Sequence, residues 1–224
     1  MRRRIWVGAV ALTFAVGGLA ASASATPVRG ALDVSGLPSA ETKGPTGYWL
    51  EWNGAVLPRS PREELGRHLA VVLVGEGEPA PLKYELRGGI LNPEVVVVRA
   101  KSAFTIENTD VFAHQLGAEG AAGFESIGTS PGQTRTITIP AAGHWEVRDK
   151  LRPTLRGWVH SIADLVAVAE VDARGRFSFG NVTPGSYTLV VYFRDKEVAR
   201  QAVNVAGPRE LNVGSVQVRI SAAN

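Results

Sequence analysis

The chain has 224 residues, with 24 lysines and arginines against 21 aspartates and glutamates and a formal net charge of +3. It has no cysteine, and its one methionine is Met1. Once that first residue is removed, these counts exclude disulfide bonds, thiolate nucleophiles and sulfur ligands for a soft metal ion.

The first 25 residues have the three parts of a secretory signal peptide. Residues 2–4 are arginines, residues 5–21 carry no charge, and Ala23, Ser24 and Ala25 form a small-x-small cleavage site. The alternative is a transmembrane anchor, because the apolar run is almost long enough to cross a bilayer. The glycines in the run and the Ala-Ser-Ala sequence favour cleavage. We therefore expect a periplasmic or secreted protein with no transmembrane span after cleavage.

Cleavage also changes the charge of the protein. Three of the 24 basic residues and none of the 21 acidic residues lie in the signal peptide, which leaves 21 of each. A balanced chain has no excess of positive charge to attract phosphate groups, so we expect no nucleic-acid partner.

Residues 26–86 are the least regular part of the remaining sequence. Glycine, proline and serine are mixed with apolar residues, and alternation predicts strands at 48–52 and 68–74. Residues 61–68 have a weak helical pattern. We interpret the three aromatic residues between 48 and 52 as part of sheet packing rather than as a ligand platform.

The rest of the chain has the pattern of many short strands. Four consecutive valines between Glu94 and Arg99 predict a buried strand. Alternation predicts further strands at 104–108, 134–139, 144–147, 165–171, 177–179, 187–193, 198–205 and 215–220. Turn residues separate these strands at short intervals, which is typical of a β-sandwich or barrel. The predicted fold class is all-β.

The spacing F-x-x-x-N-x-D-x-x-x-H occurs at Phe104, Asn108, Asp110 and His114. The pattern continues at Phe124, Gly128, Pro131, Gly132 and residues 143–147. In these residues the chain resembles exported plastocyanin-like proteins, some labelled methylamine-utilisation proteins, which join a cupredoxin to a carboxypeptidase-regulatory-like module. The resemblance implies a cupredoxin-like Greek-key sandwich over residues 87–165.

The loop that holds copper in that family departs from the family pattern in this chain. A proline and an Arg-Gly pair fix the register of residues 149–157. In that register Asp149 replaces the cysteine, Arg152 replaces the second histidine and Leu155 replaces the methionine. Only His114 keeps its identity as a ligand.

These replacements remove the chemistry of a blue-copper site, which needs a thiolate, two imidazoles and a weak axial thioether. The carboxylate of Asp149 does not supply the covalency of a thiolate. The guanidinium of Arg152 is permanently protonated and cannot coordinate a cation. We therefore expect no redox copper and no cofactor.

Two interpretations of the replaced residues stay open. In the first, Asp149 and Arg152 form an ion pair, with His114 beside it, that closes the former metal loop and contributes about 0–1 kcal/mol. In the second, all three side chains face solvent. The candidate binding surface consists of His114, Asp149, Arg152 and Trp158. For Trp158, as for Trp145, core packing is favoured over an exposed anchor.

Residues 172–189 resemble the carboxypeptidase-regulatory, transthyretin-like repeat, which reads D-x-x-G-x-F-x-F-x-x-V-x-P-G-x-Y-x-L. Gly175 is expected at a positive φ in a hairpin turn, with the two phenylalanines on one strand face. The resemblance implies a second β-sandwich module over residues 166–224. Residues 26–86 would supply its first strands, with the cupredoxin-like unit inserted between them and the rest.

Other catalytic chemistry lacks support in the sequence. No serine lies in a G-x-S-x-G elbow, no thiol is available, and no phosphate-binding glycine loop is present. The four histidines are His68, His114, His144 and His160, and none pairs with another at H-x-H or H-x-x-x-H spacing. We therefore expect that the protein is not an enzyme.

Three functions follow from these observations. The preferred one is an exported, non-enzymatic binding or structural envelope protein with a metal-free, degenerate cupredoxin-like domain and a protein or glycan partner. The second is a metalloprotein that binds Cu(II) or Zn(II) through His114 and Asp149 with another histidine. The third is a carbohydrate-binding module, which rests on analogy of fold alone.

Overall fold

The structure is a computed structural model that describes residues 26–35, 65–207 and 209–220. Most of these residues lie in strands, and their helical part is α1, a single turn at Leu65–His68. The predicted all-β fold class is confirmed.

Three sequence predictions fall outside the described residues. They are the signal peptide at 1–25, the strand at 48–52 and the first half of the helix predicted at 61–68. Within the part of the chain that the structure describes, no helix has the length and apolar character that crossing a membrane requires.

The described residues contain sixteen strands in four sheets of four strands each. In chain order the strands are β1 (Thr26–Ser35), β2 (Leu69–Val74), β3 (Leu82–Arg87), β4 (Ile90–Asn92), β5 (Val95–Arg99), β6 (Ala103–Asn108), β7 (Leu116–Ala118), β8 (Thr134–Thr138), β9 (Gly143–Asp149), β10 (Arg156–Ile162), β11 (Leu165–Val168), β12 (Glu170–Val171), β13 (Arg176–Val182), β14 (Gly185–Phe193), β15 (Lys196–Val205) and β16 (Leu211–Arg219).

Strands β3 to β10 form one β-sandwich, which we call the inserted sandwich. Its two sheets have the strand orders β4-β3-β6-β8 and β5-β10-β9-β7. The core between them is apolar and includes Phe104, Phe124, Ile137 and Val147. The rings of Phe104 and Phe124 meet edge to face with their centroids 6.1 Å apart, an arrangement that aromatic pairs prefer.

Strands β1, β2 and β11 to β16 form a second β-sandwich, the host sandwich. Its sheets have the orders β12-β13-β1-β16 and β11-β2-β14-β15. Phe177, Phe179, Tyr187 and Leu189 lie in its core. Because β2 precedes the inserted sandwich and β11 follows it, the chain leaves the host sandwich after β2 and returns to it at β11.

The predicted domain boundary after residue 86 is placed too late. Strand β3 pairs in parallel with β6 and antiparallel to β4, so it belongs to the inserted sandwich. Tyr84 and Leu86 alternate with exposed residues and lie in that sandwich's core. The inserted sandwich therefore begins near Leu82.

The strand predicted at 165–171 is divided into two strands. Strand β11 pairs with β2 in one sheet of the host sandwich, whereas β12 pairs with β13 in the other. Between them, the amide of Ala169 donates to the carbonyl of Val71 at 2.8 Å. The chain crosses from one sheet to the other at this point. The continuous apolar segment at 165–171 therefore supplies a strand to each of two sheets.

The turn after β12 has the conformation that the sequence predicts. Gly175 has φ of 80°, a left-handed conformation that glycine adopts without strain. The carboxylate of Asp172 accepts hydrogen bonds from the amides of Arg174 and Arg176, each at 2.9 Å. Phe177 and Phe179 then lie on the core face of β13, as expected.

The two sandwiches are stacked through the outer faces of two valine-rich sheets. Val71 and Leu73 of β2 face the core of the host sandwich, while the alternate residues Ala70 and Val72 face the inserted sandwich. Strand β5 is arranged in the same way, and its Val95 and Val97 meet β2. The runs of consecutive valines therefore reflect burial on both sides of these strands.

Polar contacts flank this apolar junction. Glu94 accepts hydrogen bonds from Nη2 of Arg67 at 2.6 Å and from Nδ1 of His68 at 2.9 Å. Burial opposes ionisation of Glu94, but the His68 hydrogen bond and the charge of Arg67 outweigh it and hold the carboxyl pKa below its usual value. In a second contact, Nε2 of His160 donates to the carbonyl of Arg194 at 2.6 Å.

We predict that Glu94→Gln lowers the free energy of unfolding by about 1–3 kcal/mol near pH 7, because two charge-assisted hydrogen bonds weaken. A carboxyl group whose pKa is lowered by folding contributes stability above its unfolded pKa and loses it as pH falls. The difference between wild type and variant should therefore shrink below about pH 4. Urea unfolding near pH 7 and below pH 4 measures this difference in the free energy of unfolding. Glu78→Gln, at an exposed position, is the control. A difference that does not change with pH would contradict the prediction.

Candidate functional site

The site is built where three loops of the inserted sandwich meet at one end of its strands. His114 lies between β6 and β7, and its backbone exchanges hydrogen bonds with Thr129, at 3.0 and 2.7 Å. Asn108, the last residue of β6, holds the same loops together. Its Nδ2 donates to the carbonyls of Phe112 and Thr129, both at 2.9 Å, and its Oδ1 accepts from the amide of Asp110 at 3.0 Å.

The imidazole of His114 lies between two carboxylates. Its Nδ1 is 2.5 Å from Oδ2 of Asp149, and its Nε2 is 3.0 Å from Oδ2 of Asp110. The His114 and Asp149 side chains are both 0% exposed. The interpretation in which these groups face solvent is therefore wrong.

Each carboxylate has two further hydrogen-bond donors from the backbone. Asp149 accepts from the amides of Gln115 at 2.9 Å and Leu151 at 2.8 Å. Desolvation raises the pKa of Asp149, but these amides and His114 lower it by more, and the pKa lies below its usual value.

Asp110 has an equivalent environment on the other side of the ring. It accepts from the amides of Gly88 at 2.5 Å and Gly89 at 2.9 Å, which lie in the turn between β3 and β4. Burial opposes ionisation, but the Gly89 amide, His114 and the Gly88 amide outweigh it, so the pKa of Asp110 is also lowered. Both carboxylates are thus prepared to carry negative charge.

The predicted ion pair between Asp149 and Arg152 is not formed. Val147 and Asp149 are the alternate, inward-facing residues of β9, so the carboxylate points to His114. Arg152 follows in the loop, where its guanidinium lies 3.8 Å from the centroid of the Phe112 ring. The carboxylate of Asp149 therefore takes the imidazole as its partner, and the guanidinium takes an aromatic ring.

The other predicted site residues are distributed differently. Leu155 is buried in the core of the inserted sandwich. Trp158 is partly buried against the junction of the two sandwiches, with the Arg194 guanidinium 5.6 Å from its ring. Since His114 and Asp149 are also buried, Arg152 is the one predicted surface residue that is exposed.

The remaining histidines do not converge on His114. His68 pairs with Glu94, and His160 donates to Arg194. The ring of His160 stacks on Tyr192 with 4.2 Å between the ring centroids. The exposed ring of His144 also stacks on His160, with 6.0 Å between the centroids. Among the described residues, no group of three or more potential ligands is arranged to hold a metal ion.

The residues at the expected copper position do not fit copper. Both ring nitrogens of His114 face carboxylate oxygens, and both oxygens of Asp149 accept hydrogen bonds. Leu155 and Arg152 offer no electron pair for a cation. These side chains therefore offer no free electron pair to a metal ion, and we assign no metal-dependent chemistry to the site.

The same end of the sandwich has a feature that the sequence interpretation missed. Val111, Ile127 and Leu151 are 92%, 53% and 54% exposed, and they are the exposed large apolar side chains among the described residues. Each lies in one of the three loops joined at His114. We call these loops, residues 109–113, 125–130 and 150–155, the loop end. In the sequence, single apolar residues within turn-rich segments are the signal that would have indicated these exposed side chains.

No protein-family model matches the chain, and no curated protein matches it. Among solved structures, amicyanin from Paracoccus versutus (Thiobacillus versutus) is similar with a TM-score of 0.33 and 19% identity, over 41% of this chain and 96% of that chain. A reduced amicyanin variant has a TM-score of 0.32 and 16% identity, over 39% and 85% of the two chains.

A copper-containing nitrite reductase from Thermus scotoductus SA-01 has a TM-score of 0.32 and 21% identity, over 38% of this chain. The match spans only 23% of the nitrite reductase, so this chain corresponds to less than a quarter of it. The copper in that protein's name is a property of that protein.

We predict that Asp149→Ala lowers the free energy of unfolding by about 3–5 kcal/mol, because it removes the buried carboxylate that faces Nδ1 of His114. Arg152→Ala should cost less than about 1 kcal/mol, the value of an exposed cation–π contact. The two effects should add to within about 0.5 kcal/mol in a double-mutant cycle followed by urea unfolding, since the side chains do not interact.

The matched cycle of Asp149→Ala with His114→Ala should be strongly non-additive. A coupling above about 1 kcal/mol between positions 149 and 152 would contradict this assignment of partners.

Proposed function

We propose that the chain is an exported, non-enzymatic binding protein that recognises a protein partner through its loop end without a metal ion. The observation that carries this proposal is the exposure of Val111, Ile127 and Leu151 on three loops that meet at one buried centre. Large apolar side chains exposed on neighbouring loops are typical of protein-interaction sites.

The loop end is also held in a defined shape, which lowers the entropic cost of binding. The loop of Val111 is tied through Asp110 to the turn at Gly88, and the loop of Leu151 is tied through Asp149 to His114. The loop of Ile127 is joined by the backbone pair of His114 and Thr129. A partner therefore meets a surface that is already organised.

The chemistry of the loop end favours a protein over a glycan. The exposed apolar side chains are aliphatic, and the ring of Phe112 is covered by Arg152 on one face and lies 5.0 Å from His114. Sugar stacking needs an open aromatic face. The exposed cations Lys150 and Arg152 flank Leu151 in the sequence, so we expect carboxylates around an apolar patch on the partner.

The two sandwiches support the family proposal that the sequence motifs suggest. The motif residues Phe104, Asn108 and His114 lie in and after β6, and Asp149 lies at the end of β9. The transthyretin-like motif occupies the β12–β13 turn, strand β13, and the connection to β14 in the other sheet of the host sandwich. We accordingly propose a degenerate cupredoxin-like unit within a carboxypeptidase-regulatory-like module, exported by its signal peptide and active without a cofactor.

The experiment is capture of partners from envelope extract by a photo-crosslinkable full-length protein, compared with Val111→Asp and Leu151→Asp. Each aspartate should reduce capture of a specific partner by about tenfold or more, as expected when a central apolar contact is lost. Because both positions are exposed, stability should change by less than about 0.5 kcal/mol.

Ala202→Asp, at an exposed position of β15 in the host sandwich, is the matched control and should leave capture unchanged. Equal capture by all three variants would contradict the proposed surface. Binding to a glycan array that resists the loop-end substitutions would replace the protein partner with a carbohydrate.

A further inference from the structure

The hydrogen bonds around His114 require one more proton than a neutral imidazole supplies. Two hydrogen bonds join His114 to Asp110 and Asp149, and each bond needs a hydrogen atom. A neutral imidazole carries one N–H, and two ionised carboxylates carry none. The three side chains together must therefore hold a second proton to form both bonds.

The geometry decides which group carries that proton. Asp149 accepts from two backbone amides besides His114, and Asp110 accepts from two others. Backbone amide donors stabilise an ionised carboxylate relative to a neutral carboxyl group. At Asp110 the same oxygen, Oδ2, accepts from the Gly89 amide and faces His114, so it has no free position for a proton. The imidazole, with acceptors at both nitrogens, is thus the group that the surroundings favour in its charged form.

The groups that face the ring from neighbouring elements are consistent with this charge. The turn between β3 and β4 contributes amides to Asp110, and the loop after β9 contributes an amide to Asp149. The Phe112 ring lies 5.0 Å from the imidazole between centroids, and the guanidinium of Arg152 takes the Phe112 ring as its partner. No other cation is in contact with the imidazole among the described side chains.

We propose that Asp110, His114 and Asp149 form a buried carboxylate–imidazolium–carboxylate centre that joins the three loops where the resemblance places copper, and that this centre excludes Cu(II) and Zn(II). A metal ion needs a ring nitrogen with a free electron pair. Binding one would require loss of a ring proton and of a buried charge-assisted hydrogen bond. This inference concerns the centre itself and does not depend on the partner proposed above.

The first experiment is a long-range ¹H–¹⁵N correlation spectrum of the histidine rings in the ¹⁵N-labelled full-length protein near neutral pH. His68→Gln, His144→Gln and His160→Gln each remove one of the other ring systems, so His114 is assigned without being changed. We expect both ring nitrogens of His114 to carry protons. A single unprotonated ring nitrogen would overturn the proposal.

A second arm adds Cu(II) or Zn(II) to the same sample. We expect the His114 signals to stay unchanged, with any binding confined to the exposed His144. Stoichiometric binding of either ion that shifts or broadens the His114 signals would overturn the proposal as well.

Asp149→Asn supplies a matched test of the centre, because the amide replaces one acceptor with a donor at nearly the same size. We expect one ring nitrogen of His114 to lose its proton in this variant. Asp172→Asn, which changes another aspartate that accepts two backbone amides in the host sandwich, should leave the His114 signals as they are. If Asp149→Asn does not fold, the wild-type spectrum still shows whether both ring nitrogens of His114 carry protons.

Discussion

The arrangement of the whole molecule depends on two strands that are buried on both faces. Alternate residues of β2 and β5 face their own sandwich cores, and the residues between them meet each other. No side chain larger than valine occurs at Ala70, Val72, Val95 or Val97, so the two sheets pack closely. Apolar contact of this kind joins the inserted and host sandwiches, and Glu94 and His160 make hydrogen bonds across its edges.

The buried centre at His114 shows how a carboxylate is accommodated inside a β-sandwich. A lone carboxylate at position 149 would leave a buried charge, which is costly unless it is paired. The imidazole of His114 pairs with it through Nδ1, and Asp110 faces the second ring nitrogen. Buried ionic groups add little net stability compared with an apolar core, but breaking one partner is expensive. Removing one residue of the centre is therefore expected to cost more stability than the complete centre contributes relative to an apolar core.

The sequence predicted the strands well because alternation and valine runs act locally, as in β5, β6, β8 and β14. It misplaced Asp149 because an arginine three residues further along the same loop was taken as the partner of its carboxylate. The alternation in β9 predicts the orientation of Asp149 correctly, because Val147 and Asp149 are two residues apart and both face inward. The contribution of Asp110 depends on the Gly88–Gly89 turn, more than twenty residues away, and no local pattern encodes that contact. The division of residues 165–171 between two sheets is likewise set by tertiary pairing.

The position of the inserted sandwich within the host has a consequence for the order in which the molecule assembles. The inserted sandwich is one continuous stretch of chain, so it can form as soon as that stretch is available. The host sandwich pairs β1 with strands near the opposite end of the sequence, and Asp33 and Gln217 are 184 residues apart. Contacts of such separation are slow to form. Strand β1 therefore completes its pairing only after β13 and β16 are available, and until then its backbone groups are open to pairing with other chains.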